Sequence, residues 1–293
     1  PPPPPFFQAE DGIRDPPYSL VGSEMCIRDR YLLHVLVPVL LTSCASAPPE
    51  VPYPAYINAN ELDEVFLASL PGVRATQLAG DPTTRRTSNR IDLPADWQGT
   101  SGGEPGRSME LFVLAGELML ADIRLQSGGY AYLPAGSLGF NMKTPDGARI
   151  LYFVNDADPE SVIRSPIILD TGLLDWQPTP TRGITIKELR RDPGTGATTW
   201  LRRIEPGAFI PWEVSSTLRE GYLVTGSYRH SECIDGQAVT DAYAAGGYFY
   251  RPADAVNGGP ESGADTEAVW LLRETTGGEH RVVGACTAPP SMP

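Results

Sequence analysis

Glu213, Ser215, Glu220 and Asn257 are oxygen-bearing side chains within the most strongly patterned stretch of the chain, Arg203 to Pro260. Together they could form an all-oxygen pocket around a divalent ion, with Glu213, Glu220 and Asn257 as ligands. Such a donor set suits calcium or magnesium better than iron or zinc. Tyr222, Tyr248 and Tyr250 stand on adjoining strand patterns, and aromatic walls with a few polar groups are how small-molecule pockets are built. Aromatics at alternate strand positions are nevertheless more often core than ligand wall. Neutral imidazole is the commonest transition-metal ligand, yet the chain has only three histidines, His34, His230 and His280. His34 falls in an apolar leader, and His230 reads as a structural residue on a strand before it reads as an acid or base. The backbone N–H groups of the Gly-rich turn after Asn257 could meet an anion. No Ser/His/Asp or Cys/His constellation, phosphate loop or zinc spacing is present.

The elements that would position these residues are strands. GGYFYRPA at 246–253 repeats GGYAYLPA at 128–135, and EGYLVTG at 220–226 repeats ELFVLAG at 110–116. Aromatics alternating after a Gly pair and closed by Pro have the period of a short strand. The runs that end in Gly116 and Gly226 read as strands entering hairpin turns. Many short strands punctuated by Gly and Pro form a sandwich or a closed barrel. Two like domains in tandem follow from the repeat. Glu61 to Leu70 reads as one short helix ahead of the first of them.

The spacing resembles the two signature motifs of the cupin superfamily. The first family motif is a Gly, five residues, His-x-His, three or four residues, a Glu, and a strand ending in Gly. Gly207, Glu213, Ser215, Glu220 and Gly226 fall on those places, with the last interval one residue short. The second motif finds Gly246, Pro252, Asp254 and Asn257 in place, with Asn257 where the family has His. The earlier copy keeps Glu110, Gly116, Gly128, Pro134 and Gly136, but SGGEPGRS stands where His-x-His is expected. The resemblance implies an all-β fold of two tandem jelly-roll (double-stranded β-helix) barrels. It also implies a metal held by three His and a Glu inside each barrel, and this chain lacks the His.

Residues 1–30 share no pattern with the rest, and FFQAEDGIRD and SEMCIRDR look like translated sequencing-adapter read-through. Residues 31–43, YLLHVLVPVLLTS, are too short to span a bilayer and suit a secretory apolar region. With Cys44, LTSC resembles the bacterial lipobox, in which the Cys is acylated. Residues 44–60 then form a Pro-rich tether, 61–160 the first barrel and 161–293 the second, with 167–176 crossing between them. The net charge is −13; residues 1–30 hold five acids and three bases and 31–43 none, leaving −11 beyond them. That surface repels phosphate backbones and excludes nucleic acid as a partner.

Of four cysteines, Cys26 lies in the leader and Cys44 in the lipobox. Cys233 and Cys286 are, in an exported chain, a disulfide, or else two buried thiols. The expectation is a lipid-anchored protein of the bacterial cell envelope, periplasmic or outer-membrane facing. Its second barrel would bind a small polar or anionic molecule through Glu213, Ser215, Glu220, Tyr222, Tyr248 and Asn257, with no firmly indicated cofactor. A divalent ion in that barrel and a homodimer stay open. The alternatives are a metal-dependent dioxygenase, hydrolase or isomerase with an altered ligand set and His230 as acid or base, and a structural envelope protein.

Overall fold

The repeated runs form the central strands of two antiparallel barrels. The computed structural model describes residues 53–54, 56–81 and 86–287, all within one compact unit. The leader, the apolar run and the Cys44 lipidation site lie outside the described residues. In the first barrel the strand order is Ile167–Asp170, Gly129–Leu133, Arg107–Leu120, Ala148–Asp156, Arg86–Leu93, Arg74–Asp81 and Glu64–Val65. The far end of the long Arg107–Leu120 strand curls over to pair with Ile123–Gln126 and Phe140–Thr144, and the latter pairs with Trp97–Ser101. The second barrel runs Ile57–Asn58, Gly247–Arg251, Arg219–Thr225, Ala268–Glu274, Thr198–Ile204, Ile184–Arg191 and Gln177–Pro178. Ser227–Ile234, with its partners Gln237–Ala244 and Gly263–Ala264, and the pair Glu213–Ser215 and His280–Val282 close its other side.

The barrels exchange edge strands. Ile57–Asn58, ahead of the first barrel in sequence, pairs with Gly247 and Tyr248 of the second. Ile167–Asp170, ahead of the second, pairs with Gly129 to Tyr132 of the first. Gly116 and Gly226 show why the repeat keeps its glycines: both have positive φ, and an added Cβ would stand 2.3 Å from the Gly147 carbonyl oxygen or 2.1 Å from that of Glu267.

The helix expected over Glu61–Leu70 does not form; the segment is turns around the two-residue strand Glu64–Val65, paired with Ala75 and Thr76. A helix this short is not stable on propensity alone, and the strand pairing of Glu64 and Val65 takes the segment instead, leaving Leu62 and Phe66 exposed. The described residues contain no α-helix, only a 3-10 turn at Thr171–Leu173.

Strand alternation sorts side chains into three cores. Met109, Leu111 and Val113 fill the first barrel together with Ala131 and Leu133. Leu223, Phe249, Trp270 and Leu272 fill the second. The opposite faces of the same strands, Phe112, Tyr130, Tyr132 and Phe153 from one barrel and Tyr222, Tyr248 and Leu271 from the other, pack into one shared core between them. Cys233 and Cys286 are joined by a disulfide beside Trp212 and Val214, tying down the tail strand His280–Val282. Closing a loop of that sequence separation of 53 stabilises by about 4 kcal/mol in the chain-entropy description.

Candidate functional site

The six residues singled out from the sequence divide between two faces of the barrel wall. Glu213, Ser215 and Asn257 lie together in the second barrel: Glu213 and Asn257 exchange backbone hydrogen bonds of 2.8 and 2.9 Å, and the Asn257 side-chain amide donates to the Glu213 carbonyl at 3.3 Å. Glu220, Tyr222 and Tyr248 point the other way, into the core shared between barrels. The expected ligand set of Glu213, Glu220 and Asn257 therefore does not converge. A strand has a period of two, so an assignment displaced by one residue moves a side chain to the opposite face. The short interval before Gly226 is the mark of that displacement. Counting back the family's full interval from Gly226 reaches Arg219, and Arg219 lines the second barrel's interior where the family places its Glu. The same count from Gly116 reaches Met109, in the apolar interior of the first barrel.

Arginine thus occupies the place of the metal ligand, and an ion network is built around it. Arg219 donates to Glu213 at 2.7 Å and to Glu274 at 2.9 Å, and its third nitrogen contacts His280. The hydroxyl of Ser215 donates to the same Glu274 carboxylate at 3.2 Å. Arg202 approaches Glu213 at 3.5 Å. Deeper in the wall, Arg251 grips Glu232 at 2.5 Å and contacts His230 Nε2 at 2.8 Å, and Tyr53 donates to Glu232 at 3.0 Å. Burial alone would raise the Glu213 carboxyl, but Arg202 and Arg219 hold it at about 2. Burial likewise opposes ionisation of Glu232, and Arg251 with His230 brings it to about 2. Burial pushes the His230 imidazole below its ordinary value, so at neutral pH it is uncharged.

This donor set does not fit a divalent cation. Three guanidinium groups, Arg202, Arg219 and Arg251, already balance Glu213, Glu232 and Glu274. Among the described residues no group of His, Cys, Asp or Glu is arranged to hold a metal. The interior cavity measures about 20 Å³, room for about one water, so the second barrel's interior does not admit the small molecule expected there. Chelation with EDTA is expected to leave the unfolding temperature unchanged, and elemental analysis to find no stoichiometric iron, manganese or zinc. Stoichiometric metal that disappears in Glu213→Gln would overturn this assignment.

Between the barrels lies a second buried network with approximate two-fold symmetry. Glu110 accepts from Tyr130 of its own barrel at 2.5 Å and from Thr199 of the other. Glu220 accepts from Tyr248 of its own barrel at 2.7 Å and from Ser88 of the other at 2.7 Å. Arg273, 2% exposed, bridges both carboxylates and stacks on Phe153 at 3.9 Å. Against the cost of burial, Arg273 and Arg190 bring the Glu110 carboxyl to about 2.

Arg190 opens this network to solvent. It is 6% exposed, lies over the Tyr132 ring at 4.4 Å and stands 3.7 Å from Glu110. Its guanidinium donates no hydrogen bond to any described residue, and its Nε is buried without a partner. It lines a cleft of about 230 Å³ between the barrels, with Ser108, Asn155, Asp158, Thr195 and Thr275 around it. Sequence reading missed Arg190, which belongs to no motif position. No alternation in the strand Ile184–Arg191 marks it, because Leu189 and Arg190 are both buried where the register shifts between Glu188 and Arg190.

The cleft and the barrels can be set beside known proteins. In structure the chain is similar to the Escherichia coli protein YlbA of family DUF861, with 16% identity, TM-score 0.60, and 78% of this chain and 91% of that one covered. It is also similar to a variant of Bacillus subtilis oxalate decarboxylase, with 13% identity, TM-score 0.58, and 78% of each chain covered. Both are cupin-type proteins, and the fold here is the all-β cupin fold. No curated protein matches the chain. The matched stretch, residues 68–280, runs through both barrels, and the chain belongs to the family described as a domain of unknown function, DUF4437.

Proposed function

We propose that this protein is a binding protein of the bacterial cell envelope, anchored through an acylated Cys44, whose cupin barrels enclose a cleft for a small polar or anionic molecule. The observation that carries the reading is Arg190: a buried cation that donates no hydrogen bond to any described residue and stands 3.7 Å from Glu110, at the edge of a polar cleft. Buried charged donors are ordinarily satisfied, and a ligand oxyanion would satisfy this one. The Cys233–Cys286 disulfide supports an oxidising compartment, and LTSC at 41–44 supports the anchor. Binding is favoured over metal-dependent catalysis because guanidinium groups fill the place of the metal.

The test is a thermal-shift screen of the protein against small carboxylates and phosphates, repeated with Arg190→Ala. At a hundred times the dissociation constant a ligand stabilises by about 2.7 kcal/mol, and Arg190→Ala is expected to abolish the shift. No shift from any compound at millimolar concentration would sink the reading.

A further inference from the structure

The charges around the cleft narrow the ligand further, if the binding reading above holds. Arg86 is paired with Asp156 at 3.1 Å. Asp192, 1% exposed, is taken up by the Ser161 hydroxyl at 2.5 Å and the N–H groups of Val162 and Gly194 at 3.2 and 2.9 Å. Two charged groups remain with unused capacity: Arg190, whose ion pair with Glu110 is long at 3.7 Å and which donates no hydrogen bond to a described residue, and Asp158, whose carboxylate accepts from the Glu160 N–H at 2.9 Å and forms no ion pair with a described residue. Glu110 behind Arg190, and the carboxylates of Asp156, Asp158 and Asp192 around the cleft, penalise a multiply charged anion. A ligand carrying one charge of each sign would meet both remaining groups and add no net charge.

We infer that the cleft between the barrels binds a small amino-carboxylate zwitterion, its carboxylate on the Arg190 guanidinium and its ammonium group facing Asp158. Arginine presents paired N–H groups that match a carboxylate, while the free Asp158 oxygen accepts from an ammonium group. The hydroxyls of Ser108 and Thr275 line the same space.

Isothermal titration of the protein with alanine and aspartate, with propionate and succinate as their des-amino counterparts, and with ethylamine tests this. The amino acids are expected to bind about tenfold or more tightly than their des-amino counterparts, and ethylamine not measurably. Asp158→Asn keeps the oxygen that accepts from Glu160 but loses the charge, and it is expected to remove the preference while leaving carboxylate binding. Arg190→Gln is expected to remove binding of both, and urea midpoints of both variants show whether the fold is retained. Equal binding of amino acids and des-amino acids, or a preference that survives Asp158→Asn, would overturn the zwitterion inference and leave the binding reading standing. Absence of binding by every probe would overturn the zwitterion inference, and together with no shift in the carboxylate and phosphate screen would overturn both.

Discussion

Replacing Arg273 with alanine is expected to lower the unfolding free energy by about 3–5 kcal/mol, the range for breaking a buried ion pair from one side. Arg273 is 2% exposed and is shared by Glu110 and Glu220. Its loss strands Glu220 in the core between the barrels and leaves Glu110 with only the more distant Arg190, at 3.7 Å. Arg149→Ala is the fitting control, because Arg149 pairs with Asp92 at 2.7 Å but is 46% exposed. Pairs of that kind contribute about 0–1 kcal/mol. Urea unfolding with linear extrapolation separates the two results. A cost for Arg273→Ala no larger than that of Arg149→Ala would mean that apolar packing alone holds the barrels together.

Acid is expected to unfold the protein steeply. Glu110, Glu213 and Glu232 each have a folded pKa of about 2 against an ordinary 4.5. A depressed carboxylate contributes stability that is full above its unfolded pKa and is lost as pH falls towards the folded one. Each shift corresponds to on the order of 3 kcal/mol, so the loss should run from about pH 4.5 down to about 2. His230 acts in the same direction and starts earlier. Its folded pKa lies below the ordinary 6.5, so below about pH 6.5 the unfolded chain takes up a proton that the folded chain refuses. Urea midpoints measured from pH 7 to pH 3 should therefore fall gently at first and steeply below pH 4.5. Glu213→Gln should flatten the steep part. A midpoint independent of pH over that range would show that these carboxylates are not held ionised by their arginines.

How far the sequence reveals this molecule depends on the range of the interaction. The barrels are legible because their cues are local: GGYAY and GGYFY carry a strand period, and Gly116 and Gly226 hold a backbone shape that excludes a Cβ. The residue types near Glu213 and Asn257 are legible for the same reason. The facing of Glu220 is not recovered from the motif alone, because one residue of slippage exchanges the inside of a barrel for its outside. The interval to Gly226 contains the correction and names Arg219. The network between the barrels is illegible in any local pattern, since Thr199 reaches Glu110 across 89 positions, Ser88 reaches Glu220 across 132, and Arg273 reaches Glu110 across 163. Arg190 is significant only because of what those distant partners leave undone.

The near-symmetry of that network has a consequence for how such a protein can arise. Phe153 lies opposite Glu110 in one barrel as Arg273 lies opposite Glu220 in the other, so the two occupy matching positions, and they stack on each other. Two identical barrels meeting about a two-fold axis would have to bring Phe against Phe or Arg against Arg. At matching positions, a guanidinium on an aromatic face is open only to halves with different sequences. Covalent tandem linkage, with each half free to diverge, turns a self-matching surface into a lock and key and leaves no interchangeable copy of either half.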